Sequence, residues 1–158
     1  MKIFKRLFSK KLENLTLNDF KDLSFKSNCF DAKILNVHDG DTFLIGFIWN
    51  NIPIKTNMRL LGCDCPELRP FKLINDRELH IECGHIVQKF VKSEIENKIV
   101  KIQTCNKNDC YGRILGDVIL ENGNSLSNML INLKYAFSYD GKTKKIFTLE
   151  DLQYIKNN

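Results

Sequence analysis

The sequence lacks a hydrophobic run long enough to cross a membrane, and it shows no secretion signal, because lysines interrupt its first apolar residues every two or three positions. It also has no internal repeat, no low-complexity stretch and no paired Cys-x-x-Cys motif. Its six cysteines do not form the pattern of a secreted disulfide framework. We therefore expect an intracellular protein with free thiols and without a transmembrane helix.

Length and composition indicate a folded protein with a core of its own. The 158 residues are most simply one domain, and 43% hydrophobic with 27% charged residues gives no sign of disorder. The net charge of +5 has a definite location, because five basic residues precede the first acidic one, Glu13. The other 19 basic residues equal the 19 acidic residues in number. A nucleic-acid enzyme with this sequence would need a local positive site rather than a basic surface.

Residues 1–28 differ from the rest and are expected to form a basic, amphipathic helical extension. Apolar residues recur at helical spacing among lysines. Through residues 1–15, such a helix would suit an anionic membrane surface, which implies peripheral membrane association, or a nucleic-acid backbone or a protein partner. The alternative is that its apolar face packs on the main domain, and both interpretations stay open.

Residues 29–158 carry the pattern of one mixed domain. Short β-type stretches alternate with turn residues, and a helical apolar stripe follows Pro70, with Asn75 and Glu78 predicted to form its capping box. The predicted strands are 32–37, 42–49, 52–61, 99–104 and 113–120, and shorter helices are predicted from Ser125 and Thr148. This order predicts an α+β fold, a five-stranded OB-type β-barrel with about three helices.

Carboxylates stand at both ends of the predicted hairpin over 42–61. Asp41 lies at its start, in the turn His38-Asp39-Gly40-Asp41-Thr42, and Asp64 follows its second strand. Since a hairpin brings its outer ends together, we expect Asp41 and Asp64 to lie side by side, with Arg59 next to them. Two carboxylates with water and phosphate oxygens suit Ca²⁺ or Mg²⁺, and an arginine suits a phosphate. The other interpretation of Asp39-Gly40-Asp41 is an ordinary turn.

Three motifs in this region resemble the staphylococcal nuclease (thermonuclease) family. They are Val37-His38-Asp39-Gly40-Asp41-Thr42, Arg59-Leu60-Leu61-Gly62-Cys63-Asp64-Cys65-Pro66-Glu67 and Tyr111-Gly112-Arg113. The resemblance covers roughly residues 30–140 and rests on three short motifs in order. It implies a metal-dependent nuclease that hydrolyses DNA, RNA or both with little sequence specificity. It further implies cleavage of the 5′ P–O bond, which leaves 3′-phosphate ends.

The resemblance and the residue chemistry together give each candidate a role. Asp41 and Asp64 are the predicted ligands of Ca²⁺, with Mg²⁺ or Mn²⁺ as alternatives, and Asp39 is expected to support them. The resemblance adds the backbone carbonyl of Cys65 as a ligand, at a position where the family often has threonine. Glu67 is expected to orient or deprotonate the attacking water; its alternative role is that of a solvated loop residue.

Arg59 and Arg113 are the predicted phosphate clamps, because a guanidinium can bind two phosphate oxygens and stays charged. Tyr111 is a predicted substrate-binding aromatic, by hydrogen bonding or stacking; its alternative is a packed aromatic at the rim. The resemblance implies an aromatic of the nucleotide pocket within residues 135–139, and Tyr139 is the predicted one. The family commonly has lysine where this chain has Cys110.

Two alternatives remain. The chain could be a catalytically inactive module of the same fold that binds nucleic acid or a protein, although Asp41, Arg59, Asp64, Glu67 and Arg113 are all present. His80, Cys83 and His85 could suggest zinc, but their spacing does not bring all three to one helix face, so a buried Cys83 with surface histidines is expected. A monomer is expected.

Overall fold

The structure is a computed structural model that describes residues 28–108 and 111–158. The element order is β1 (Cys29–Asp39), β2 (Thr42–Trp49), β3 (Ile52–Leu60), β4 (Gly62–Asp64), α1 (Arg77–Ile95), β5 (Ile99–Asn108), β6 (Ile114–Ile119), α2 (Leu126–Asn132), β7 (Phe137–Tyr139) and α3 (Leu149–Asn157). Five strands close into a barrel in the order β1-β2-β3-β6-β5. The predicted α+β barrel with three helices is therefore confirmed for the described part of the chain.

Alternating apolar residues fill the interior of the barrel. Phe43, Ile45 and Phe47 are buried along β2, as the two-residue period of a strand requires. The β2–β3 hairpin turns at Asn50 and Asn51, whose φ angles of 48° and 63° are those of the tight turns that match strand twist. The predicted hairpin is thus confirmed, and its register pairs Thr42 with Arg59.

Helix α1 supplies one side of the core with buried Cys83, Val87, Val91 and Ile95. Its predicted capping box is wrong. The N-cap is Asp76, in a left-handed conformation with φ of 53° and without a side-chain capping hydrogen bond. Helix α1 therefore begins two residues after the predicted capping position, and neither Asn75 nor Glu78 caps it.

The two shorter helices begin as predicted. The Ser125 side chain accepts a hydrogen bond from the Asn128 backbone N–H at the start of α2. Thr148 and Asp151 form a reciprocal capping box at the start of α3. These caps fix the chain on both sides of β7, which pairs with β4 in a small antiparallel sheet that the sequence did not predict.

Some predictions fall outside the residues described. The predicted extension over 1–28, with its membrane or partner surface at 1–15, lies almost wholly there and stays a prediction. Among residues 28–108 and 111–158, no helix is both long and apolar enough to span a membrane.

Candidate active site at the ends of the barrel strands

Strand pairing brings three predicted site residues to one end of the barrel. Thr42, next to Asp41, pairs with Arg59, and the Leu60 N–H donates to the Asp41 carbonyl at 2.7 Å. The parallel pairing of β3 with β6 then places Arg59 beside Leu115, two residues after Arg113. Asp41, Arg59 and Arg113 therefore meet although they come from three parts of the sequence.

Gly40 makes the close approach of the β1–β2 turn possible. A Cβ at this position would lie 2.7 Å from Val87 Cγ1 and 2.8 Å from both Cβ and Sγ of Cys65. A side chain there would push the turn away from α1 and from the segment after β4. The absence of a side chain at Gly40 thus sets where Asp41 lies.

Arg59 joins the two predicted metal ligands. Its Nη1 contacts Asp41 Oδ1 and its Nη2 donates to Asp64 Oδ1 at 2.6 Å. The side chains are buried, with 11% exposure for Arg59, 3% for Asp41 and 6% for Asp64. Burial alone would lower the pKa of Arg59, but Asp41 and Asp64 raise it above its ordinary value. The expected neighbourhood of Asp41 and Asp64 is present, and the arginine lies between them.

The surroundings of Asp41 favour a cation close to its carboxylate. Its Oδ2 accepts a 2.9 Å hydrogen bond from the Cys65 N–H, and its Oδ1 accepts one from the Thr42 hydroxyl at 3.2 Å. Asp39 Oδ1 accepts the Asp41 N–H at 3.3 Å, so Asp39 supports the turn that carries Asp41. Burial raises the pKa of Asp41 to about 8, against the opposing effect of Arg59. A negative charge at Asp41 therefore depends on positive groups nearby.

Glu67 lies at the solvent-exposed edge of the site, with a side chain that is 44% exposed. A Cβ added at Gly84 of α1 would lie 3.1 Å from the Pro66 carbonyl oxygen and 3.2 Å from the Glu67 carbonyl carbon. The helix therefore packs directly on this segment. Lys144 Nζ donates to Glu67 Oε1 at 2.7 Å and to Asp64 Oδ1 at 2.8 Å. Burial would lower the pKa of Lys144, but the hydrogen bonds to Asp64 and Glu67 raise it. Sequence reasoning missed Lys144, since three lysines in a predicted loop carry no signal that separates one from the others.

Arg113 and Tyr111 border the same site. Arg113 Nη1 donates to the Thr42 hydroxyl at 3.4 Å, and its guanidinium carbon lies 5.3 Å from the centre of the Tyr111 ring. Tyr111 is 80% exposed, so its ring is accessible to a ligand, which argues against the packed-rim alternative. A contiguous chain of contacts thus runs from Arg113 through Thr42, Asp41, Arg59 and Asp64 to Lys144 and Glu67.

Tyr139 lies on β7, which pairs with β4. Its partner in the register is Gly62, and Phe137 pairs with Asp64. Tyr139 is partly exposed. The small sheet therefore ties the predicted aromatic segment to the strand that carries Asp64.

The donor set fits a hard divalent cation. Asp41 and Asp64 each place a carboxylate oxygen against the same guanidinium, and oxygen ligands suit Ca²⁺ and Mg²⁺. Among the residues described, no three His, Cys, Asp or Glu side chains converge to hold a metal by themselves. The remaining positions would fall to water, to phosphate oxygens and to a backbone carbonyl, for which Cys65 stays the prediction.

The histidine prediction is half wrong. His85 is exposed, but His80 is 4% exposed and packs edge-on against Phe147 with ring centroids 5.6 Å apart. Neither His80 ring nitrogen has a hydrogen-bond partner within the described chain, and burial lowers the pKa of His80. His80 is buried because the segment before α3 folds back over it. Cys83 is a buried free thiol as expected, and its Sγ donates to the Leu152 carbonyl at 3.1 Å.

Comparisons with known proteins show the family of this chain. The model of the staphylococcal nuclease homologue family matches residues 57–157. An uncharacterized protein of Methanocaldococcus jannaschii, MJ1439, is 32% identical over 125 residues. The match covers 68% of this chain and 57% of that relative, so the chain spans well under two thirds of its length. The matched range includes Arg59, Asp64, Glu67 and Arg113 and begins after Asp41. This chain belongs to the staphylococcal nuclease homologue family, a family of the nuclease type.

Proposed function

We propose that the protein is a metal-dependent phosphodiesterase that cleaves DNA, RNA or both with little base specificity. One observation carries the proposal: Arg59 bridges Asp41 and Asp64, with Glu67 joined to Asp64 through Lys144 and Arg113 joined to Asp41 through Thr42. A member of a nuclease-type family that keeps this set has both the anionic and the cationic groups that phosphate hydrolysis uses.

Each group has a distinct task in the proposed reaction. Asp41, Asp64 and the Cys65 carbonyl would hold a divalent cation, which when bound supplies polarisation of the phosphate. Glu67 accepts a proton from the attacking water. Arg59 and Arg113 donate hydrogen bonds to phosphate oxygens, on which negative charge increases in the transition state.

The accessible groups favour a nucleic-acid chain as the substrate. Tyr111 exposes an aromatic face next to Arg113, so a base can stack on the ring while the adjacent phosphate meets the arginine. Stacking and phosphate contacts do not read base identity, which accounts for the low sequence specificity we propose.

Two substitutions test the assignment. Glu67→Gln and Arg113→Ala should each lower kcat by about 10²–10⁴, because each removes one proton-transfer or charge-stabilising group. Glu121→Gln is the matched control, since Glu121 is exposed in the turn before α2 and outside the site. The thermal midpoint should stay close to that of the unchanged protein in all three variants. A mild effect of both site substitutions would mean that the roles are assigned to the wrong residues.

The inactive binding module is the second candidate, and one observation favours it. Asp41, Asp64 and Glu67 are all paired with basic side chains, and a buried ion-pair network can also be purely structural. Calorimetric titration with Ca²⁺, with and without a nucleoside 3′,5′-bisphosphate, separates the candidates. An active site should bind the two cooperatively, because the phosphate completes the coordination of the ion. An inactive module should show no effect of Ca²⁺ on bisphosphate binding.

A further inference from the structure

Lys144 reaches the site from a part of the chain that no motif covers. It belongs to the connection between β7 and α3, far in sequence from Asp64 and Glu67. Its Nζ lies 2.8 Å from Asp64 Oδ1 and 2.7 Å from Glu67 Oε1, so one ammonium group bridges the predicted metal ligand and the predicted base.

The connection that carries Lys144 is anchored on both sides. Before it, Tyr139 is paired with Gly62 in the β4–β7 sheet. After it, Phe147 is buried, stacks on Phe137 with ring centroids 4.4 Å apart and covers His80. The position of Lys144 over the carboxylates therefore follows from packing at the two ends of its segment.

The neighbouring lysines behave differently. Lys142 has an 84% exposed side chain and lies 3.7 Å from Asp140, two residues away. Lys145 lies over the Phe137 ring, 5.6 Å from its centre. Lys144, by contrast, is 46% exposed and has both of its ion-pair partners in the site. Lys142 is consequently a matched control for a change at Lys144.

An ammonium group has three N–H donors, and the two carboxylates use two of them. The Lys144 side chain is 46% exposed, so a ligand in solvent can reach it. A phosphate that approaches the cation ligand Asp64 and receives water from Glu67 must lie beside both carboxylates. Any such phosphate also lies next to Lys144 Nζ.

We propose that Lys144 contacts the substrate phosphate as a third cationic group of the site, together with Arg59 and Arg113. This inference rests on the proposed function, and it assigns the β7–α3 connection to the substrate-binding surface. The substrate class it implies is a polyanionic phosphodiester chain.

The test compares Lys144→Met, Lys144→Arg and Lys142→Met in the full chain. Binding of a fluorescent single-stranded oligothymidylate is measured by anisotropy in the presence of chelator at several salt concentrations, so that cleavage does not interfere. Each phosphate contact contributes about 0.7 to the slope of log K against log salt for single strands. We expect Lys144→Met to reduce the slope by about that amount and to weaken binding several-fold at low salt. Lys144→Arg should stay near the unchanged protein, and Lys142→Met should leave the slope unaltered.

Cleavage in Ca²⁺ gives a second measurement. Lys144→Met should lower kcat/KM by about tenfold, because it removes one charge-assisted hydrogen bond to the phosphate, and Lys144→Arg should recover most of the loss. An unaltered slope for Lys144→Met, or equal losses for Lys144→Met and Lys142→Met, would overturn the inference. If the unchanged protein cleaves nothing, the proposed function has failed, and the binding comparison still decides whether Lys144 contacts phosphate.

Discussion

Replacing Arg59 by methionine would measure how much the buried ion pairs of Arg59 contribute to the free energy of unfolding. Methionine keeps much of the side-chain volume but removes the charge and the donors. The change would leave Asp41 and Asp64, with side chains 3% and 6% exposed, without the guanidinium that joins them. Asp64 would keep its ion pair with Lys144, whereas the donors left to Asp41 from the Cys65 N–H and the Thr42 hydroxyl are neutral.

The size of the effect follows from burial. Removing one partner of a buried pair costs about 3–5 kcal/mol, since the other charge stays buried. The low end applies here, because burial raises the pKa of Asp41 and protonation of its carboxylate in the variant would relieve part of the cost. We expect a loss of about 3 kcal/mol in the free energy of unfolding. For a chain of this size, about 2–4 °C per kcal/mol corresponds to a fall of roughly 6–12 °C in Tm.

The assay is urea and thermal unfolding followed by circular dichroism at neutral pH, in the presence of chelator. Lys101→Met is the matched control, because Lys101 and Asp31 form an ion pair 3.7 Å long between side chains that are 57% and 71% exposed. Exposed pairs contribute less than about 1 kcal/mol. If Arg59→Met costs no more than Lys101→Met, the network is not formed in solution and the account of the site is wrong.

Three other changes have defined outcomes. Gly40→Ala should cost about 1–3 kcal/mol in urea unfolding and reduce cleavage, because its Cβ would overlap Val87 and Cys65; an unaltered midpoint would contradict the tight turn. Burial lowers the pKa of His80, so the stability of the neutral form is present above its ordinary pKa of 6.5 and is lost as the pH falls below it. His80→Phe should therefore reduce the fall in Tm between about pH 7 and pH 5, and an equal fall in both proteins would refute this. Deletion of residues 1–15 should leave cleavage of short oligonucleotides largely intact and weaken binding to anionic vesicles, most clearly at low salt; an unfolded, inactive product would show that the segment belongs to the core.

The parts of the fold and site that the sequence predicts are those encoded by local patterns. The Asn50-Asn51 turn and the alternation along β2 determine the hairpin, and the hairpin brings Asp41 beside Arg59. Asp64 follows a few residues later, so its place near them could also be predicted. Thr148 and Asp151 mark the start of α3 by a capping pattern that depends on two residues alone.

The parts that the sequence does not predict depend on tertiary packing. Strand β4 is three residues long and has no periodicity, and it exists because β7 pairs with it. His80 is buried because Phe147 packs over it from another element. Lys144 reaches Asp64 through the anchors of its segment, and nothing in its neighbourhood in the sequence separates it from Lys142.

Digestion of nucleic acid shows whether the protein is the metal-dependent phosphodiesterase that we propose. The purified chain is incubated with single-stranded DNA, duplex DNA and RNA in Ca²⁺, Mg²⁺, Mn²⁺ or chelator, and the ends of the products are mapped. We expect cleavage with at least one metal, 3′-phosphate ends, no cleavage in chelator, and loss of cleavage in Glu67→Gln. Absence of cleavage with every metal and substrate, or cleavage that persists in chelator, would contradict the proposal.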